Sequence, residues 1–180
     1  MVGTLEHTGG TRGTDEEEEM DAFPAKILLA TDGSEDSALA AQAAIRIAND
    51  TGAQLHVVHV AEAGPAYPSP TAGGPPMPTA SRDEVRQAAQ RLLDQQTAQI
   101  AEAGGKIDEA HLRLGRPPEE ILRLSEDIIA GLIVVGNQGI SGRFSRMKRF
   151  VMGSVSENVT RYARCSVMVV RKDLYDRPST

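Results

Sequence analysis

The feature that most constrains the fold of this chain is a fivefold alternation of short apolar runs with longer amphipathic stretches. Residues 26–30 and 132–135 are continuous apolar runs, typical of strands buried on both faces of a parallel sheet. Residues 55–60 and 167–170 predict two further strands. Residues 107–114 alternate apolar and polar side chains, so this strand has one wet face and lies near an edge. The pattern predicts an α/β domain, a five-stranded parallel sheet with helices on both faces.

Four helices are predicted between these strands, and several begin at a capping signal. Ser34 caps the first helix and Gly52 ends it. Residues 81–84 form a capping box, and Pro117 opens the third helix. The last helix runs from Ser154 to about residue 162. The predicted inward stripe of the first helix is Leu39, Ala43, Ala44, Ile47 and Ala48.

Charge and composition divide the chain into a leader, a body and a tail. Residues 1–22 hold seven acids and one base, a net charge of −6, which equals that of the whole chain. The body is therefore neutral. We expect residues 1–22 to be a disordered acidic leader, 23–173 to be one domain, and 174–180 to be a flexible tail. Residues 61–79 hold six of the ten prolines and predict a long flexible loop.

Composition also excludes several classes of function. No apolar run approaches the ~18 residues that span a bilayer, and the first residues do not resemble a signal peptide, so we expect a cytoplasmic protein with no membrane partner. One cysteine excludes an internal disulfide framework. A neutral body with three Phe, three Tyr and no Trp argues against nucleic-acid binding.

Three segments are candidates for a ligand site. Residues 30–34 follow the first strand, and residues 136–139 follow the fourth. Ligands in open α/β sheets bind outside the carboxyl ends of the strands, where the strand order reverses, so these loops are expected to meet. Residues 153–156 open a helix whose N-terminus suits a phosphate. A simpler alternative is that the glycines only form turns and that Ser154 caps its own helix in a box with Glu157.

In combination, these motifs resemble the universal stress protein family. They are Ala30-Thr31-Asp32-Gly33-Ser34, His59-Val60 at the end of the second strand, Val135-Gly136-x-x-Gly139, and Gly153-Ser154-Val155-Ser156. The resemblance covers about residues 24–172. It implies a Rossmann-like sheet of strand order 3-2-1-4-5 and a homodimer formed through the last strand. It also implies an adenine-nucleotide site, with ATP as the first choice of ligand and Mg²⁺ left open.

The resemblance assigns a role to each matching residue. Asp32 would contact the adenine or ribose side, and Gly136 and Gly139 would lie against the ribose and phosphates. The residues lining the base pocket would be Ala30, Val60 and Val135. The residues holding the phosphates would be Gly153, Ser154, Val155 and Ser156.

One departure from the family pattern is the thirteen residues between Gly139 and Gly153, where the pattern has nine. The longer segment holds four bases and no acid. We hypothesise that these bases compensate by contacting the phosphates; an ordinary solvated surface or a partner-binding patch is the alternative. The four are Arg143, Arg146, Lys148 and Arg149.

The sequence thus predicts an adenine-nucleotide-binding universal stress protein that acts as a sensor or regulatory module in the stress response. No catalytic residue is assigned, because no general-base partner for Asp32 can be named. Two alternatives stay open: a dimeric interaction module of the same fold that binds no nucleotide, and a cyclic AMP binder.

The histidines and the single cysteine indicate less about function than the three loop segments do. His56 and His59 are three apart on a strand and point to opposite faces, and His111 lies on the third strand, so we expect no zinc site. Cys165 is expected to be a small packed residue, although Arg161 and Arg164 nearby leave a reactive thiol open.

Overall fold

The computed structural model describes residues 25–62, 81–139 and 153–171. The predictions for the leader, the tail, nearly all of the proline-rich loop and the basic residues between 140 and 152 lie outside these ranges and stay predictions. The elements in chain order are β1 (Lys26–Ala30), α1 (Glu35–Thr51), β2 (Gln54–Ala61), α2 (Arg82–Glu102), β3 (Ile107–Leu114), α3 (Pro117–Asp127), β4 (Leu132–Gly136), α4 (Ser154–Tyr162) and β5 (Ser166–Val170).

The strands form one parallel sheet of order β3-β2-β1-β4-β5, which confirms the predicted fold. β1 and β4 are neighbours although α1, β2, α2, β3 and α3 separate them in sequence. The strand order therefore reverses beside β1, and the loops that follow β1 and β4 emerge next to each other. β3 lies at one edge, as its alternating pattern predicted.

Helices cover both faces of the sheet. On one face, α1 and α2 pack against residues that include Ile27, Leu29 and Val57. On the other face, α3 and α4 pack against Leu28, Val58 and their neighbours. Among the described residues, no helix combines the length and the apolar character needed to cross a membrane.

Helix α1 differs from the prediction in the face that it buries. Ser34 is the N-cap, with its side chain accepting the N–H of Ser37, and Gly52 ends the helix in the left-handed conformation, as predicted. The buried residues of α1 are Ser37, Ala40, Ala44, Ile45 and Ala48, whereas the predicted Leu39, Ala43 and Ile47 are half-buried. The prediction is confirmed for Ala44 and Ala48, whereas Leu39, Ala43 and Ile47 pack at the margin of the same core, so the buried face is rotated from the predicted one. Alanine lets α1 pack closely on the sheet, while the larger side chains flank the contact.

Candidate functional site

A cavity of about 480 Å³ opens at the carboxyl ends of β1 and β4. All ten residues predicted to bind a nucleotide lie on its walls: Ala30, Asp32, Val60, Val135, Gly136, Gly139, Gly153, Ser154, Val155 and Ser156. The walls also include Thr31, Ser34, Ser37, Val58, His59, Glu62, Leu92, Pro117, Ile121, Asn137 and Gln138. The three candidate segments of the sequence thus meet in one place, although they are far apart in the chain.

Asp32 and Gly139 form the closest approach between the two loops. A Cβ built on Gly139 would lie 2.5 Å from Oδ2 of Asp32, so a side chain there would displace the carboxylate. The other oxygen, Oδ1, accepts the backbone N–H of Ser34 at 2.9 Å. The carboxylate is therefore held in a turn before α1, beside the glycine of the opposite loop.

The loop after β4 is anchored on the start of α1. The backbone N–H of Gln138 donates to Oδ2 of Asp36 at 3.0 Å, and the Ser34 hydroxyl donates to the Gln138 carbonyl at 3.3 Å. Gly136 fits because an added Cβ would lie only 2.7 Å from the backbone carbon of Asp36. Glycine here allows β4 and α1 to approach more closely than any side chain permits.

The start of α4 contradicts the alternative in which Ser154 is a capping residue. Gly153 is the N-cap, no side chain caps the helix, and Ser154 is the first helical residue. The Ser156 hydroxyl lies 3.0 Å from both the Asn137 and the Gly153 carbonyls, and the Gly153 N–H donates to the Asn137 carbonyl at 2.8 Å. The first turn of α4 is thus fixed to the loop after β4 by the carbonyl of Asn137.

This arrangement leaves the N-terminus of α4 facing the cavity. The N–H groups of a first helical turn have no partner within the helix, and the helix dipole favours an anion there. Ser154, Val155 and Ser156 all line the cavity. A carboxylate in this first turn would oppose an anion, but that of Glu157 is exposed and lies 3.6 Å from Arg161, one turn further along.

Several polar groups on the cavity wall, although part of the motifs quoted above, received no role from the sequence. Nδ1 of the buried His59 donates to the Thr31 carbonyl at 2.8 Å, because a carbonyl can only accept. The Thr31 hydroxyl in turn donates to Oε1 of Gln96 on α2 at 2.9 Å. His59 lies close to the carboxyl end of β2, next to Val60. Its position at a strand end was the signal that could have identified it.

Asn137 supplies a further polar group to the cavity. Its Oδ1 is buried and has no hydrogen-bond partner among the described residues. Buried amide groups are normally paired with protein, water or a ligand. A bound molecule carrying donors and acceptors would satisfy this side chain.

The surroundings of Cys165 disfavour a reactive thiolate. Burial raises its pKa above the ordinary value for cysteine, and hydrogen bonds to backbone groups of Cys165 and Ile133 offset this only in part. The two nearby arginines, whose charge could stabilise a thiolate, each lie beside a carboxylate instead. Arg161 lies near Glu157, and Arg164 lies 3.4 Å from Glu126. Cys165 packs against the apolar cluster beneath α3 and α4, as a small core residue would.

The sequence predicted that the histidines form no zinc site, but two of them lie close together in the structure. His56 and His59 do lie on opposite faces of β2. However, His56, Glu109 and His111 lie together on β2 and β3, and one ligand atom from each falls within 4.8 Å of the others. Spacing within one strand does not reveal a cluster that forms across two.

These features together define an α/β domain with a mixed polar and apolar crevice at the point where the strand order reverses. The profile of the Universal stress protein family matches residues 25–171. The universal stress protein YxiE of Bacillus subtilis is 33% identical over 150 residues, which cover 81% of this chain and 98% of YxiE. The chain therefore belongs to the universal stress protein family.

Solved structures agree with this fold. A universal stress protein in complex with cAMP aligns with a TM-score of 0.59 at 23% identity, covering 82% of this chain and 97% of the other. The universal stress protein of Archaeoglobus fulgidus in complex with dAMP aligns with a TM-score of 0.55 at 22% identity, covering 81% and 96%.

Proposed function

We propose that this protein binds an adenine nucleotide, with ATP as the first choice, in the cavity between β1 and β4, and that it acts as a cytoplasmic sensor or regulatory module in the stress response. The observation that carries the proposal is the convergence of Asp32, Gly139 and the N-terminus of α4 on one cavity. The adenine nucleotides in two structurally similar proteins, cAMP and dAMP, support it.

The chemistry of the walls matches the parts of a nucleotide. The aliphatic residues Ala30, Val60 and Val135 suit the faces of a purine, and the carboxylate of Asp32 suits the donors of an adenine or a ribose. Gly136 and Gly139 let backbone approach the ribose and phosphates. The phosphates would lie against Gly153, Ser154, Val155 and Ser156.

The size and donor set of the cavity also suit this ligand. A volume of about 480 Å³ lies within the ~300–1,000 Å³ range of small-molecule and cofactor sites. We propose Mg²⁺ only as the counter-ion of a bound triphosphate. The hydroxyls of Ser154 and Ser156, beside the proposed phosphates, are hard oxygen donors of the kind that Mg²⁺ prefers.

A ligand-dependent rise in melting temperature tests the proposal directly. The full chain is titrated with ATP, AMP and cyclic AMP, each with and without MgCl₂. A ligand at a hundred times its Kd stabilises the native state by about 2.7 kcal/mol, which is about 5–10 °C for a domain of this size. The ranking of the three nucleotides identifies the preferred one. If none shifts the melting temperature at millimolar concentration, the protein is an interaction module that binds no nucleotide.

The substitution Asp32→Asn tests the role of the carboxylate. Asparagine keeps the oxygen that accepts the Ser34 N–H, so the turn before α1 is retained while the charge is lost. Because a hydrogen bond to a charged group contributes about 1.5–3 kcal/mol, we expect ATP affinity to fall about 10- to 100-fold by calorimetry. Asp50→Asn is the matched control, since Asp50 is an exposed carboxylate at the other end of α1. Equal affinity in the two variants would contradict the assignment of Asp32.

We also propose that the protein is a homodimer joined through β5. Within the described residues, β5 pairs only with β4, and Met168 on it is 38% exposed. A charge on this edge should prevent strand pairing between copies. We expect Met168→Lys to convert a dimer into a monomer in light scattering, whereas Ala110→Lys on the opposite edge strand leaves the dimer intact. A wild-type monomer, or a Met168→Lys dimer, would refute this arrangement.

A further inference from the structure

A cluster of His56, Glu109 and His111 lies on the face of the sheet that α3 and α4 cover, at the edge formed by β2 and β3. His56 is four residues before Val60 on β2, so the cluster lies about 13 Å along the strand from the nucleotide cavity. It is therefore separate from the site described above.

An irregularity in the sheet creates this cluster. The register between β2 and β3 pairs Leu55 with Ile107 but His56 with Glu109, so one extra residue, Asp108, is inserted in β3. The Asp108 carboxylate accepts the Leu55 N–H at 2.9 Å and replaces a backbone partner. Because the insertion reverses which side chains face outward, Glu109 and His111 come to the same face as His56.

The two imidazoles are already at the separation of two ligands on one metal ion. Nδ1 of His56 lies 3.2 Å from Nε2 of His111. Two nitrogens of a tetrahedral zinc site, each about 2.05 Å from the metal, stand about 3.3 Å apart. Oε2 of Glu109 lies 3.9 Å from Nδ1 of His56, and one ligand atom from each of the three residues falls within 4.8 Å of the others. This carboxylate is exposed, so a small side-chain rotation would complete three ligands.

Hydrogen bonding among the described residues satisfies only one ring nitrogen of His56. The residue is only 6% exposed, and the next residues on its face of β2 are Val58 and Val60. Nδ1 of His56 is hydrogen-bonded to Nε2 of His111, whereas its buried Nε2 has no partner in the part of the chain that the structure describes. Leaving one nitrogen of a buried imidazole unpaired is costly. A metal ion between the two rings would take the place of the His56–His111 hydrogen bond.

The ligand atoms select the kind of metal. Two ring nitrogens and a single carboxylate do not suit Ca²⁺ or Mg²⁺, which prefer oxygen ligands. Imidazole ligands suit zinc and its neighbours in the first transition row.

We propose that His56, Glu109 and His111 bind one Zn²⁺ ion, which joins the edge strand β3 to β2 and keeps a fourth coordination position open to solvent. Two histidines, one carboxylate and an open position form a known type of zinc ligand set.

The test uses the tag-free full chain, treated with a chelator that is then removed, in buffer without nucleotide. Titration with ZnCl₂ in competition with a chromophoric chelator should show one saturable site per chain. Co²⁺ in place of Zn²⁺ should give the intense visible absorption of a tetrahedral centre. Saturating zinc, at a hundred times its Kd, should raise the melting temperature by about 5–10 °C.

Three substitutions decide where the ion binds. Glu109→Gln and His111→Gln should each weaken zinc binding at least about tenfold and abolish the tetrahedral Co²⁺ spectrum. Glu109 is exposed, so its variant should fold even if the His111 variant does not. His7→Gln is the matched control, because His7 lies in the acidic leader, the other place that could hold zinc. The proposal is overturned if the wild type binds no zinc, if Glu109→Gln binds it unchanged, or if His7→Gln abolishes binding.

Discussion

The substitution Gly136→Ala measures how closely β4 and α1 approach beside the cavity. A Cβ at this position would lie 2.7 Å from the backbone carbon of Asp36, 2.9 Å from its carbonyl oxygen and 2.9 Å from its Cβ. Two of these atoms are backbone and cannot rotate away. Gly136 is not among the described glycines with positive φ, so the whole cost comes from this overlap and none from backbone conformation.

The structure sets the size of the expected effect. Ordinary Cβ contacts are about 3.4 Å or longer, so the start of α1 would have to move several tenths of an ångström away from β4. Overpacking of this kind costs about 1–3 kcal/mol, and the rigid backbone contact favours the upper half of that range. We expect Gly136→Ala to lower the free energy of unfolding by about 2 kcal/mol, or the melting temperature by about 4–8 °C. The loop that follows Gly136 should shift with it, so nucleotide affinity should fall as well.

Urea denaturation measures the loss of stability, and calorimetry with ATP well below the melting temperature measures affinity. Gly52→Ala serves as the control, because Gly52 has φ +73° but no atom near the added Cβ, and it lies at the far end of α1. It should lose about 1–2 kcal/mol through its backbone while keeping full affinity. A loss of less than about 0.5 kcal/mol in Gly136→Ala would refute the overlap as described here.

Two further predictions concern the start of α1 and the half-buried thiol of Cys165. Ser34→Ala removes the hydroxyl that accepts the Ser37 N–H at 3.1 Å. We expect the free energy of unfolding, measured by urea denaturation, to fall by about 1 kcal/mol. An unchanged midpoint of unfolding would mean that this cap contributes nothing to stability. Because burial raises the pKa of Cys165, less thiolate is present at any pH below that value. Alkylation by iodoacetamide should therefore be slower than for a free cysteine derivative at pH 8 and keep rising above pH 9, whereas a plateau near pH 7 would contradict the raised pKa.

Much of the fold followed from local patterns in the sequence. The apolar runs identified buried strands, because such runs depend only on how many faces of a strand are covered. Residues 107–114 were placed correctly at an edge, but their burial does not alternate in the structure, where Ala110 is exposed and His111 is half-buried. The meeting of Asp32 with Gly139 also followed, since the carboxyl ends of parallel strands share one edge of a sheet. The roles of these residues toward a nucleotide stay predictions until binding is measured.

The features that sequence reasoning missed depend on pairing between distant segments. The rotation of α1 reflects which small residues allow the closest approach to the sheet, and helical periodicity fixes that angle only loosely. The choice of Gly153 as N-cap depends on the carbonyl of Asn137, which lies in another loop. The contact of His56 with His111 depends on one inserted residue, Asp108, that no single-strand spacing reveals.

The bonds made by the Asn137 carbonyl have a consequence for the length of the segment between Gly139 and Gly153. They fasten the far end of that segment beside the loop from which it departs, so the cavity walls do not depend on how many residues run between the two points. Lengthening such a closed segment from nine to thirteen residues costs only about 0.3 kcal/mol in chain entropy. Residues could therefore be added or deleted between Gly139 and Gly153 without rebuilding the described walls of the cavity.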